Sequence, residues 1–182
     1  MMQLKHPKRG FVALVSIAAI AAGTIAVTWA EQRTDAQRSV TDHPSLFSAP
    51  PGCSSPAQSL ARAKKAEEHA YFHTERYPYD PQDGIDAVGE FQEAESCYRA
   101  SGLPEDATRV GRIASNLMAR INVDYASSRL VLENALDAEH WALALSEIHR
   151  LLRLTEHVRD HAYVAHLSSI VGKVTIRANA AR

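Results

Sequence analysis

The sequence lacks the short motifs by which common enzyme classes are recognised. It has no glycine-rich phosphate loop, no nucleophile elbow, no zinc-protease helix and no haem-attachment pair. No segment alternates apolar and polar residues with a period of two over a useful length, so we predict no β-sheet. We therefore expect an all-α protein that is not an enzyme and that needs no cofactor.

The sequence also lacks an excess of either charge. The formal net charge is −1 over 182 residues, which gives no indication of a nucleic-acid partner. The charge is uneven, because residues 67–106 hold eleven acids against Arg76 and Arg99, whereas the chain from Ala107 onward holds ten Lys or Arg against seven acids. We interpret these halves as two solvated surfaces, with a specific electrostatic interface as the alternative.

Cysteine is scarce, and the two thiols belong to Cys53 and Cys97. Outside the cytoplasm such a pair can form a disulfide, which here would tie residue 53 to the second predicted helix. The alternative is a buried thiol at Cys97 and a free thiol at Cys53. The sequence leaves both alternatives open.

One long hydrophobic run is present, and it lies at the N-terminus. Lys5, Lys8 and Arg9 precede an uncharged run from Phe11 to Trp29, and nineteen helical residues span about 28 Å, close to the thickness of a bilayer core. The basic flank places residues 1–10 in the cytoplasm and the remaining chain in the periplasm. We predict a single-pass inner-membrane anchor at residues 11–29; the alternative is a cleaved secretory signal.

Residues 30–55 follow the apolar run and have the composition of a flexible tether. They hold Pro44, Pro50, Pro51 and Gly52, many polar residues and no helical period. The chain from residue 56 to residue 182 is then predicted to be one all-helical domain.

Helical periodicity predicts about five helices in this domain. They run from about Ser55 to Tyr77, from about Asp83 to Ser101, from Pro104 to Leu136, and onward from the expected caps Asp137 and Asp160. Gly102 is the expected left-handed cap of the second helix, with Leu103 folding back on Tyr98. The third helix keeps one apolar and small face over seven turns. That face comprises Val110, Ala114, Leu117, Ile121, Tyr125, Ser128, Leu132 and Ala135.

Two stretches thirty-four residues apart share an order of large and small side chains. Phe91, Ala94, Tyr98 and Ser101 are followed by Tyr125, Ser128, Leu132 and Ala135. Thirty-four residues is the period of the tetratricopeptide repeat, and Gly89 to Leu136 resembles that family. The resemblance implies antiparallel helical hairpins with a concave surface for a peptide or helix. It stops before Gly89, and whether the third helix breaks near Asp124, as a regular repeat would, stays open.

His69 and His73 are four residues apart on the first predicted helix, so both rings project from one side. This spacing is found in metal sites, but a site needs a third ligand that the sequence does not place. The alternative is two solvated or capping histidines. Cys53 and Cys97 add a redox-sensing variant of the same hypothesis.

The leading functional hypothesis is an interaction module. A helical-hairpin domain, held at the outer face of an inner membrane, would act as a scaffold or adaptor for another protein of a bacterial-type envelope. The expected contact residues are Arg112, Asn116 and Arg120 on the third helix. The alternatives are a periplasmic metal-binding or redox-sensing protein, and a structural envelope protein that associates with itself; the oligomeric state is not determined by the sequence.

Overall fold

The computed structural model describes residues 42–54 and 56–180. This part of the chain contains five α-helices and no β-strand, which confirms the predicted all-α class. The helices are α1 (Ser59–Arg76), α2 (Pro81–Ala100), α3 (Pro104–Asp137), α4 (Trp141–Leu154) and α5 (Ala162–Ala180). Two short 3₁₀ helices, Pro56–Gln58 and Glu156–Val158, precede α1 and follow α4.

The predicted cytoplasmic segment 1–10, the predicted membrane segment 11–29 and half of the predicted tether lie outside the described residues. Within the described residues, no helix is both long and apolar enough to cross a membrane. The topology therefore stays a prediction from the sequence.

Consecutive helices pack side by side and run in opposite directions. The end of α2 meets the start of α1, where Ser101 Oγ lies 2.8 Å from Ser59 Oγ. At the other end of the same pair, His73 of α1 lies beside Asp83 of α2. In the same way α2 packs on α3, α3 on α4 and α4 on α5. With 34 residues, α3 is long enough to pack against both α2 and α4.

The apolar face of α3 lies in the core as its periodicity predicts. All eight of the predicted face residues are buried, and Ala107 extends the buried face by one position toward the start of the helix. The helix continues past Asp124 to Asp137, so no turn interrupts it where a regular repeat would turn. A face repeated at steps of three and four stays in phase only while the helix is unbroken.

The turn between α2 and α3 has the predicted left-handed cap. Gly102 has φ +75°, and the backbone N–H of Leu103 donates to the carbonyl of Tyr98 at 3.0 Å. Glycine adopts this φ without the penalty that a Cβ atom imposes.

Two predicted caps are wrong. Asp137 is the last residue of α3, and α4 starts only at Trp141, because the chain turns through Glu139 at φ 57°, a conformation normally signalled by glycine. The start of α5 is capped by His161, whose Nδ1 accepts a hydrogen bond from the N–H of Tyr163 at 3.1 Å. Asp160 lies one residue too early to be that cap.

Residues 44–54 of the predicted tether belong to the folded unit, which begins at Pro44. Leu46 is 2% exposed and joins the hydrophobic core, with Phe47 packed against that core. The carbonyl of Pro51 accepts a hydrogen bond from Ser96 Oγ of α2 at 2.8 Å. We call residues 44–54 the strap. The sequence did not predict the burial of Leu46 or the packing of Phe47, because the prolines around them are typical of a flexible segment.

Candidate functional site

A row of basic side chains on α1 faces a row of acidic side chains on α2. The acids recur at steps of three and four, which places them on one side of α2. We call these residues the charged seam: Arg62, His69, His73 and Arg76 on α1, and Asp83, Asp86, Glu90 and Glu93 on α2. Arg62 Nε donates to Glu93 Oε1 at 2.9 Å, and this contact lowers the pKa of Glu93 below its ordinary value.

Asp83 is the most buried acid of the charged seam, with 6% of the residue exposed. Its Oδ1 lies 2.7 Å from His73 Nδ1, and its Oδ2 lies 3.0 Å from Arg76 Nε. A buried carboxylate is tolerated when a cation and hydrogen-bonding groups surround it, because their attraction offsets the loss of hydration. The turn between α1 and α2 holds these partners in place, since Asp80 caps α2 by accepting from the N–H of Gln82 at 3.1 Å.

The structure does not bring His69 and His73 together as a pair of ligands. His69 Nδ1 lies 3.7 Å from Glu90 Oε1, whereas His73 lies beside Asp83. One potential ligand atom from each of His73, Asp83 and Asp86 falls within a group whose atoms are at most 4.8 Å apart. The sequence reading missed the two aspartates because nothing in the sequence fixes the register of α2 against α1.

A second feature is a cleft of about 580 Å³ at the side of the α1–α2 turn. Four elements contribute to it, namely the turn, the first residue of α2, the middle of α3 and the second half of α4. We call it the arginine cleft. Its walls are Tyr77, Pro78, Tyr79, Pro81, Arg120, Asp124, His149, Arg150 and Arg153.

Two of the three arginines in the arginine cleft have no close carboxylate partner within the described part of the chain. Arg150 approaches Asp124 Oδ2 only to 3.9 Å, and the Arg120 guanidinium lies 5.7 Å from the centre of the Tyr77 ring. Arg153, in contrast, binds Asp80 at 2.5 Å and also binds Glu156. The Arg153 contact lowers the pKa of Asp80. Arg120 and Arg150 are thus the cations that remain able to bind an external anion.

The floor of the arginine cleft is fixed by Tyr77, which is 5% exposed. Its hydroxyl donates to Asp124 Oδ2 at 2.6 Å. Burial, and then this hydrogen bond to a carboxylate, raise the pKa of Tyr77 well above its ordinary value. The phenol therefore stays neutral and keeps α3 attached to the turn.

The three predicted contact residues are all exposed on α3 but do not share one pocket. Arg120 lines the arginine cleft, and Arg112 lines a shallow depression of about 530 Å³ near the start of α3. Asn116 lies one turn from each of them and is exposed. The sequence reading missed Arg150 and Tyr79, which come from other elements and meet Arg120 only in the folded chain.

Cys53 and Cys97 form a disulfide that joins the strap to α2. Cys97 is fully buried, and its partner is half-buried. Of the two alternatives that the sequence left open, the structure therefore has the bridge.

No protein-family model matches the chain, and the comparisons with curated proteins and with solved structures returned no match. The resemblance to tetratricopeptide repeats therefore stays a prediction from the sequence. The same holds for the absence of enzymatic activity.

Proposed function

We propose that this protein is a membrane-anchored interaction module that binds an acidic segment of another envelope protein in the arginine cleft. The observation that carries this proposal is the pair Arg120 and Arg150, two cations in one cleft without a carboxylate closer than 3.9 Å in the described part of the chain. A guanidinium binds carboxylates through paired N–H donors, and two of them select a segment with more than one acid.

The shape and the rim of the arginine cleft also suit a peptide. A volume of about 580 Å³ has room for a few side chains, and specific pockets for ligands fall in the range of about 300–1,000 Å³. Tyr79 is 90% exposed at the rim. Exposed tyrosines contribute strongly to binding when a partner covers them, because a large and rigid ring is removed from water.

A direct test uses the full chain in detergent and two labelled peptides, hexa-glutamate and hexa-lysine, followed by fluorescence anisotropy. We expect binding of the acidic peptide alone, and weaker binding at higher salt because exposed charges are screened. Arg120→Ala and Arg150→Ala should each weaken binding by about tenfold or more, as expected for loss of a charge-assisted contact worth about 1.5–3 kcal/mol.

Arg112→Ala is the matched control, because Arg112 is exposed on the same helix but lies outside the arginine cleft. Its affinity for hexa-glutamate should equal that of the unchanged protein, and all three variants should melt at the same temperature. An equal loss at Arg112 would place binding along the length of α3 and not in the cleft. Binding of hexa-lysine with similar affinity would overturn the choice of an acidic partner.

The membrane attachment in this proposal rests on Lys5, Lys8, Arg9 and the apolar run from Phe11 to Trp29. A reporter that is active only in the periplasm, fused after Arg182, should be active and should fractionate with membranes. A product shorter by about thirty residues would show that the apolar run is a cleaved signal and not an anchor. Complexes between two copies, with no second protein captured from solubilised membranes, would favour the self-associating alternative.

A further inference from the structure

One end of the charged seam gathers an imidazole and two carboxylates from two helices. His73 lies in the last turn of α1, and Asp83 and Asp86 lie in the first two turns of α2. Each residue offers one ligand atom, and these atoms lie within 4.8 Å of one another. The connection is firmly held, since the N–H of Tyr77 donates to the carbonyl of His73 and Asp80 caps α2.

The three residues form a path from the interior to solvent. The Asp83 side chain is 8% exposed and the His73 side chain 24% exposed, whereas Asp86 is exposed at the surface. A groove of about 420 Å³ is lined by His73 and Asp86 and is walled by Pro51 of the strap. A cation that enters this groove therefore meets His73 and Asp86 first, and Asp83 Oδ1 lies 2.7 Å from His73 Nδ1.

Two carboxylate oxygens at this end of the charged seam accept no hydrogen bond. One is Asp83 Oδ2, which has Arg76 Nε 3.0 Å away but outside hydrogen-bonding alignment. The other is Glu90 Oε2, and the Glu90 residue lines the groove. Burial raises the pKa of Glu90 above its ordinary value. Arg76 already supplies a positive charge beside Asp83 Oδ2, so the metal-ligand atom that remains on the Asp83 carboxylate is Oδ1.

We propose that His73, Asp83 and Asp86 bind a divalent transition-metal cation of the Zn²⁺ type. One imidazole nitrogen and two carboxylate oxygens are ligands that Zn²⁺ accepts, and three protein ligands leave a fourth position for water. Mg²⁺ is excluded as the preferred ion, because it favours six oxygen ligands and binds imidazole poorly.

Binding requires the loss of one proton from between two ligand atoms and a rearrangement of the three ligands. The cation takes the place of the proton between His73 Nδ1 and Asp83 Oδ1. That proton passes to the buffer when the ring starts doubly protonated, and it moves through solvent to Nε2 when the ring starts neutral, so the bound imidazole carries its proton on Nε2 in both cases. The Nδ1 and Oδ1 atoms, now 2.7 Å apart, must separate to about 3.3 Å, the distance between ligands on a tetrahedron with bonds of about 2.0 Å. Arg76 stays beside Asp83 Oδ2, and its charge opposes the metal and weakens the site.

The test is isothermal titration of the untagged, metal-stripped full chain in detergent with ZnCl₂, and separately with MgCl₂. We expect a Zn²⁺ site that Asp86→Asn and His73→Gln each weaken by at least tenfold, and no heat from MgCl₂. Zn²⁺ should also raise the melting temperature of the unchanged protein, because a ligand that binds the folded state stabilises it. Asp86→Asn should remove that rise.

His69→Gln is the decisive control, because His69 is four residues from His73 but its side chain is 52% exposed and faces Glu90. Its Zn²⁺ affinity should equal that of the unchanged protein. A loss at His69 equal to that at His73 would mean that the two histidines form the site, and would overturn the proposed ligand set. Unchanged Zn²⁺ affinity in Asp86→Asn would show adventitious surface binding only. Because Asp86 is exposed, this variant should fold, and the test holds even if His73→Gln does not fold. The arginine cleft is not involved, so neither result depends on the proposed function.

Discussion

The phenol of Tyr98 on α2 donates a 2.8 Å hydrogen bond to Glu67 Oε2 on α1. Arg109 of α3 binds the same carboxylate through two nitrogens, at 2.6 and 3.1 Å. One carboxylate therefore joins three helices, and the Glu67 side chain is 13% exposed. Burial, and then the bond to Glu67, raise the pKa of Tyr98 to about 12, so the phenol remains a donor at neutral pH.

We predict that Glu67→Gln destabilises the protein by about 1–3 kcal/mol at pH 7, because charge-assisted hydrogen bonds are lost. The Arg109 contact lowers the pKa of Glu67 below 4.5 in the folded state. A lowered pKa contributes stability that is complete above the unfolded value and is lost as the pH falls through the folded value. Urea unfolding at pH 7 and at pH 3 should therefore show a difference between variant and parent that shrinks in acid.

Glu68→Gln is the control for this prediction, since Glu68 is the next residue and is exposed. It should change the free energy of unfolding by less than about 0.5 kcal/mol at either pH. A difference for Glu67→Gln that stays constant down to pH 3 would contradict a role for the carboxylate charge.

A pair of glycines in α2 should respond to alanine in opposite directions. A Cβ at Gly84 would lie 2.3 Å from Tyr77 Cδ2 and 3.0 Å from Ile121 Cδ1, and the Tyr77 ring cannot move without loss of its bond to Asp124. We expect Gly84→Ala to destabilise the protein by about 1–3 kcal/mol through overpacking.

Gly89→Ala meets no atom within 4 Å and should stabilise the helix by up to about 1 kcal/mol. Thermal or urea unfolding of the two variants measures both effects. A stabilised Gly84→Ala would show that the Tyr77 ring moves freely, which the geometry of the arginine cleft does not allow.

The phase of α3 can be tested with three leucines on the same helix. Leu117 is 8% exposed and Leu132 is 4% exposed, and their truncation to alanine should each cost about 2–5 kcal/mol of unfolding free energy. Leu130 is 59% exposed, so Leu130→Ala should cost less than about 0.5 kcal/mol. If the alanine variants at 117 and 132 kept the parent's stability and the variant at 130 lost it, the buried face assigned to α3 would be wrong.

The disulfide between Cys53 and Cys97 closes a loop with a sequence separation of 44 residues. The chain-entropy relation gives about 4 kcal/mol for a loop of this length, because the bridge restricts the unfolded chain. We expect Cys53→Ser to lose about 2–5 kcal/mol in urea unfolding, and to equal the reduced parent protein. The parent in freshly isolated membranes should resist alkylation until reductant is added, and two freely alkylated thiols there would contradict the bridge.

Local sequence determined the helices and the buried face of α3. Val110 to Ala135 repeat at the spacing of one helical face, and that information is contained within a single segment. Gly102 ended α2 as predicted, because its φ of +75° is a local property that glycine favours. The turn at Glu139 has no such signal in the sequence. Its left-handed position is occupied by glutamate and not by glycine, so local sequence did not predict it.

Tertiary structure alone decided which polar residues meet. His73 lies beside Asp83, and Arg120 lies in the same cleft as Tyr77 and Arg150. These residues meet because neighbouring helices pack in one register. That register depends on side-chain contacts between segments. The same is true of Leu46, whose burial in the core required a surface formed by other elements. The helical period of a segment is determined within that segment, whereas a binding site between helices exists only after the chain has folded.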